Sequence, residues 1–303
     1  MIQASSNHSD PDHIRASEWI ERGGEDPSCV ILGIPYSRLS ISGARCDLLP
    51  YAVRKALASF STFDGTADLS EMQVVDRGDL DIPGGNAEDV LAGIEEAVRS
   101  VGSPAVFLGG DNSITSAAVM GAIGEGAGVI TLDAHHDLRN YARDGYTNGS
   151  PMRVLLDRGV KGTNIWQIGI APFANAKTYS DFARSSGINV VTVEDARAIG
   201  PRACVAQALD ALSGCEAVYV DFDIDVVDRA LVPAAPAALP GGLHPKDLIQ
   251  IARLCGSNPL VRCIDIVEVD PMRDVVDSTV RLAAMVLLSF LSGLRSRGPI
   301  VDG

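Results

Sequence analysis

Residues 128–137 read GVITLDAHHD. An apolar, β-branched run with no polar alternation marks a strand covered on both faces, hence a parallel sheet. Two carboxylates and two imidazoles follow it at once. In open α/β sheets, ligands bind in the crevice outside the carboxyl ends of the strands. Outward along the chain, similar runs recur at 29–33, 73–76, 105–108, 165–170, 190–193, 217–223 and 261–269. Helical patterns lie between them, among others at 88–101, 114–123, 151–157, 202–212, 245–254 and 279–291. Asn86 is the expected N-cap of the first, and Pro151 suits the first turn of its helix. Strand and helix alternate from end to end. The expected fold is one three-layer α/β/α domain over residues 1–303, with a mainly parallel sheet of about eight strands. The first ten or so residues are expected to be loose.

Composition narrows the function classes. Of 303 residues, 46% are hydrophobic and 21% charged, enough for a sizeable core. The net charge of −14 argues against nucleic-acid or anionic-membrane partners. The six cysteines are scattered, with no C-x-x-C pair, and read as reduced thiols in a cytoplasmic protein. The N-terminal MIQASSNHSDPDH lacks the basic and apolar regions of a signal peptide. The apolar stretch Leu282–Leu291 falls short of the about 20 residues that span a bilayer, and reads as a buried helix.

Three strand ends carry chemistry. AVFLGGDNS ends at Asn112 and Ser113, GVITLDAHHD at Asp133, His135, His136 and Asp137, and AVYVDFDIDVVD at Asp221, Asp223, Asp225 and Asp228. Strand alternation would put Asp133, His135 and Asp137 on one side, and Asp223 with Asp225 likewise. Clustered carboxylates repel and are costly to bury without compensating charge. Divalent metal is the simplest compensation, and oxygen-rich ligation with one nitrogen suits Mn²⁺, with Fe²⁺, Co²⁺ and Ni²⁺ as alternatives. Gly121-x-x-Gly124-x-Gly126 joins a helix to a strand, the reverse of a dinucleotide fingerprint, and reads as a turn.

In these motifs the chain resembles the ureohydrolases, the family of arginase, agmatinase and formimidoylglutamase. The resemblance runs from Gly43-Ala44-Arg45 and Pro50-x-x-Val53-Arg54 through Asp76-x-Gly78-Asp79, GGDNS at 109–113, DAHHD at 133–137 and DFDIDVVD at 221–228 to Pro240-Gly241-Gly242-Leu243 and VEVDP at 267–271. It implies the arginase-like fold and two Mn²⁺ per chain. Asp133 and Asp223 would be shared by both metals, His135 and Asp225 would ligate one, and Asp137 the other. Glu268 would face the amidine or guanidinium of the substrate, and Asp137 would carry a proton toward the leaving amine. The family forms trimers and hexamers, so a homo-oligomer is expected.

The chain departs from the family pattern at two places. Asn112 stands where a histidine ligand is usual, and its carbonyl oxygen is the expected replacement donor. His136 is a candidate helper, although strand alternation directs it away. Asn148 stands where arginase-like members place a proton-shuttling histidine. D-x-R at 137–139 and NGSPMR at 148–153 instead resemble formimidoylglutamases. The resemblance makes Arg139, Asn148 and Ser150 substrate-binding residues, with Arg139 gripping a substrate carboxylate bidentately; the alternative for Arg139 is a surface ion pair with Asp144. The expected activity is hydrolysis of a linear amidine C–N bond, N-formimidoyl-L-glutamate to L-glutamate and formamide. A guanidino hydrolase releasing urea, or a non-catalytic ligand-binding relative, are the alternatives; a deacetylase would carry fewer metal-binding carboxylates.

Overall fold

All eight expected runs form strands, and all eight join one sheet in the computed structural model, which describes residues 12–22, 24–102 and 104–297. They are β1 (Cys29–Gly33), β2 (Val74–Asp79), β3 (Ala105–Leu108), β4 (Ala127–Leu132), β5 (Ile165–Ile170), β6 (Asn189–Thr192), β7 (Ala217–Asp223) and β8 (Val261–Val267). Every neighbouring pair is parallel. The order is β2-β1-β3-β8-β7-β4-β5-β6. The two strands made last therefore sit between β3 and β4. The expected loose residues 1–10 lie outside the described chain.

Alternation within each strand feeds two cores. Val106 and Leu108 of β3, with Val218, Val220 and Phe222 of β7, face helices that include Leu49–Leu57, Pro201–Ala211, Pro245–Ser257 and Ser278–Arg295. Phe107 of β3 and Tyr219 of β7 face the other layer, with helices Ala87–Arg99, Ile114–Ala122 and Pro151–Asp157. Continuous apolar strands thus find a partner on both sides. Asn86 does cap its helix, accepting from Asp89 N, and Pro151 occupies the first turn. His244 caps Pro245–Ser257 in a reciprocal capping box with Asp247. Helix Ser278–Arg295 is long and apolar enough to cross a membrane, but 78% of it is buried inside the protein. The six cysteines are unpaired, and only Cys215 is not fully buried.

The GGDNS turn shows why glycine is needed at a strand end. A Cβ on Gly110 would lie 1.7 Å from the carbonyl oxygen of Tyr36. That close crossing lets Asp111 N donate to Tyr36 O at 2.9 Å. It brings the segment after β1 over the end of β3, beside Asn112.

Candidate metal centre and active site

The four central strands, β3, β8, β7 and β4, end in the four chemistry-bearing segments. A cavity of about 200 Å³ opens there, lined by His135, Asp137, Arg139, Asn148, Asp223, Asp225 and Glu268, with Ile41, Ser42, Gly149 and Ala237. A larger cavity of about 440 Å³ lies on the Ala87–Arg99 helix, but its Glu95 already pairs with Arg99 and Arg158.

The acidic residues converge for a different reason than strand alternation. β4 stops at Leu132, so Asp133, His135 and Asp137 lie beyond it. A turn gathers them. Asp133 Oδ1 accepts from His135 N at 2.6 Å, Asp225 Oδ1 accepts from Ala134 N at 3.2 Å, and Asp137 adopts a left-handed backbone, φ +50°. β7 likewise ends at Asp223, whose side chain caps the 3₁₀ turn Ile224–Val226 through Asp225 N. The reading that alternation aligns these pairs is corrected: side-chain-to-backbone hydrogen bonds in two turns do so.

His135 Nδ1 lies 2.9 Å from Asp225 Oδ2 and 3.4 Å from Asp133 Oδ1. One ligand atom each from Asp133, His135 and Asp225 fall within 4.8 Å of one another. Asp133 Oδ2 is buried with no hydrogen-bond partner. Burial, then Asp225, raises the Asp133 carboxyl to about 7. Burial and then Asp133 push Asp137 well up, and burial and then Asp225 do the same to Asp223. Burial pulls the His135 imidazole down, but Asp225 and Asp133 outweigh it and hold it near 12. Burial raises Asp225, yet the facing His135 leaves it below the usual range. The raised Asp133, Asp137 and Asp223 report a demand for positive charge that His135 meets only at Asp225. An orphaned carboxylate oxygen in a cluster of oxygens and one nitrogen fits a hard or borderline divalent cation.

His136 belongs to the packing. It is 1% exposed, with Nδ1 2.7 Å from Gln167 Oε1 and Nε2 3.0 Å from Ser180 Oγ. Burial lowers its pKa, keeping it neutral. Asn112 does not present its carbonyl to the cluster, contrary to expectation. Its Oδ1 accepts from Thr115 Oγ1 at 2.7 Å, while Nδ2 donates to Asp137 Oδ2 at 2.7 Å. Asn112 thus holds Asp137 as a donor; a half-turn of the amide would exchange the two ends.

Arg139 is exposed at the mouth, and its guanidinium makes no ion pair among the described residues. Asp144, the alternative partner, binds Arg143 at 2.6 Å instead. Ser150 does not meet its expected role. It is 2% exposed, and its hydroxyl donates to Thr147 O at 2.7 Å and accepts from Thr147 N at 3.1 Å. It closes the turn before helix Pro151–Asp157. Asp228 stabilises another turn, accepting from Ala230 N and Gly241 N.

Glu268 is 2% exposed and left-handed, φ +60°. Its Oε1 accepts from Asn112 N and from Asn148 Nδ2, both at 2.8 Å. Burial, then Asp111, raises it to about 8. Sequence reasoning passed over Ile41 and Ser42, which line the mouth just before the Gly43-Ala44-Arg45 motif. It also passed over Thr115, which orients Asn112. Only adjacency to motif residues signalled them.

Known proteins agree with this architecture. Formimidoylglutamase of Halalkalibacterium halodurans is 36% identical over 274 residues, 87% of this chain and 86% of that protein. Formimidoylglutamase of Halobacterium salinarum is 37% identical over 280 residues, 89% of each chain. The crystal structure of formimidoylglutamase from Bacillus subtilis superposes with a TM-score of 0.89 at 30% identity, covering 99% of this chain and 97% of that one. Formiminoglutamase of Trypanosoma cruzi, crystallised with Mn²⁺, shares the fold at a TM-score of 0.85 and 23% identity, over 94% of this chain and all of that one. The family model of the arginases matches residues 27–293. With nearly the whole sheet and every strand-end motif inside that match, the chain belongs to the arginase family.

Proposed function

We propose that this chain hydrolyses the C–N bond of a linear amidine carrying a carboxylate, converting N-formimidoyl-L-glutamate and water to L-glutamate and formamide. One observation carries the reading: a cation-demanding acidic cluster and an unpaired arginine share one small cavity. Two Mn²⁺ per chain belong to the proposal: Asp133 and Asp223 would serve both, His135 and Asp225 would hold one and Asp137 the other. When bound, a manganese pair lowers the pKa of water so that hydroxide is available at neutral pH. Glu268 binds the amidinium nitrogens, a planar fork that suits a carboxylate. Arg139 grips the substrate carboxylate and fixes its distance from the acidic cluster. Asp137, on the wall of the same cavity, would pass a proton to the departing glutamate nitrogen. Formimidoylglutamases at 36% and 37% identity support this choice of substrate.

A guanidino acid would satisfy the same two ends, and a human guanidino acid hydrolase is 26% identical over 285 residues. Agmatine lacks the carboxylate and would meet Arg139 with like charge. The experiment is a manganese-supplemented panel of formimidoylglutamate, guanidino acids and agmatine, scored for formamide and for urea. Formamide release alone supports the reading; efficient urea release replaces it with guanidine hydrolysis. Six unpaired cysteines favour a reducing cytoplasm. The expected homo-oligomer, a trimer or hexamer, is read by sedimentation.

A further inference from the structure

Asn148 uses both ends of its amide and its backbone at once. Its Oδ1 accepts from Ile41 N at 3.0 Å, and its Nδ2 donates to Glu268 Oε1 at 2.8 Å. Its own N–H donates to Leu39 O at 3.0 Å. Residues 39–42 are therefore strapped to residue 148 at two points, and Ile41 and Ser42 form part of the cavity wall. The torsion that turns a glutamate carboxylate is soft and nearly two-fold, so packing alone leaves its two oxygens interchangeable. Two N–H donors on Oε1, from Asn112 and Asn148, break that degeneracy. Among the described residues, Oε2 is left with only the Cys46 thiol, 3.8 Å away.

We propose that Asn148 is a positioning residue, whose amide fixes the plane of the Glu268 carboxylate and ties the 39–42 wall to it, so that one side chain sets both the amidine contact and the shape of the mouth. The proposal rests on the amidine-hydrolase reading above for the role of Glu268. The residue type follows from the bonds. A carboxamide sets a donor nitrogen and an acceptor oxygen on one carbon, an ionised carboxylate offers acceptors only, and an imidazole spaces its two nitrogens differently. Each amide end is engaged by one bond within the protein.

Two variants separate the functions in the full-length, manganese-loaded protein. Asn148→Ala loses both bonds. Asn148→Asp keeps an acceptor for Ile41 N–H but loses the amide N–H that Glu268 Oε1 accepts. Amide hydrogen exchange at Ile41 should quicken about tenfold or more in Asn148→Ala and stay near wild type in Asn148→Asp. The kcat/KM for formimidoylglutamate should fall about 10- to 100-fold in both, as for loss of a buried hydrogen bond to a charged group. In a Glu268→Gln background, adding Asn148→Ala should cost less than about threefold, because the two residues act as one unit. Unchanged Ile41 exchange in Asn148→Ala would overturn the strap. Fully additive losses would overturn the positioning role and put Asn148 on the substrate. If the wild type turns over no amidine, the function reading fails, while Ile41 exchange still decides the strap.

Discussion

At the scale of single residues, the donors were legible and their geometry was not. Asp133, His135, Asp137, Asp223 and Asp225 stand out because packing gives no reason for acids and imidazole after buried strands. Their convergence depends on turns, such as the left-handed Asp137, which short-range periodicity does not encode. Asp133 is expected to be a shared ligand and Asp225 a ligand of one ion. Asp133→Ala should therefore lose both Mn²⁺ and all turnover, and Asp225→Ala should lose one ion, by elemental analysis of the purified proteins. Two ions retained in Asp133→Ala would refute that assignment. Arg139→Ala removes the only arginine or lysine lining the cavity among the described residues. It should lower kcat/KM for formimidoylglutamate roughly 100-fold, since ~1.4 kcal/mol is tenfold, without changing metal content. Agmatine should be a poor substrate of both proteins, as steady-state kinetics would show.

At the scale of elements, eight apolar runs sufficed to find eight strands: burial on both faces of the six inner strands leaves no polar alternation to confuse the pattern, while the half-exposed edge strands β2 and β6 stand out by their β-branched residues. The short helix Lys177–Ser185 buries only Ala183 and carries far less signal. Pairing across strands stayed hidden. Asp221 of β7 lies directly opposite Asp265 of β8, both fully buried, and each has one oxygen without a donor. Thr131 supports Asp221, while Thr115 and Tyr219 support Asp265. Two carboxyls so placed are coupled and share a proton. Burial raises Asp265 from 3.8 to about 6 and lifts Asp221 well above the usual carboxylate range. The folded state thus binds protons more tightly than the unfolded one. The associated stability is complete below the unfolded value and is lost as pH rises through about 6. Asp265→Asn cannot lose it. Compared with wild type in metal-free protein, the variant should gain up to about 3 kcal/mol between pH 4 and pH 7. Urea unfolding at the two pH values measures this, and a gap that closes as pH rises would contradict it.

At the scale of the whole molecule, the order β2-β1-β3-β8-β7-β4-β5-β6 has a consequence for how the protein is made. A nascent chain that has reached residue 216 holds two three-stranded sheets, β2-β1-β3 and β4-β5-β6, and nothing to join them. β3 and β4 each offer a bare inner edge, the template on which strands of other molecules add. Only when residues 217–267 arrive can they slide between the halves and close both edges at once. The pairings that complete the sheet span large sequence separations, which slows folding and lengthens the exposure of those edges. Sheet closure waits for β7 and β8, and the acidic pocket cannot exist before it. A chain stopped at residue 216 should be captured by chaperones or found in the insoluble fraction. Supplying residues 217–303 in trans during refolding should recover soluble protein, measured by sedimentation, if the central pair is what the halves lack.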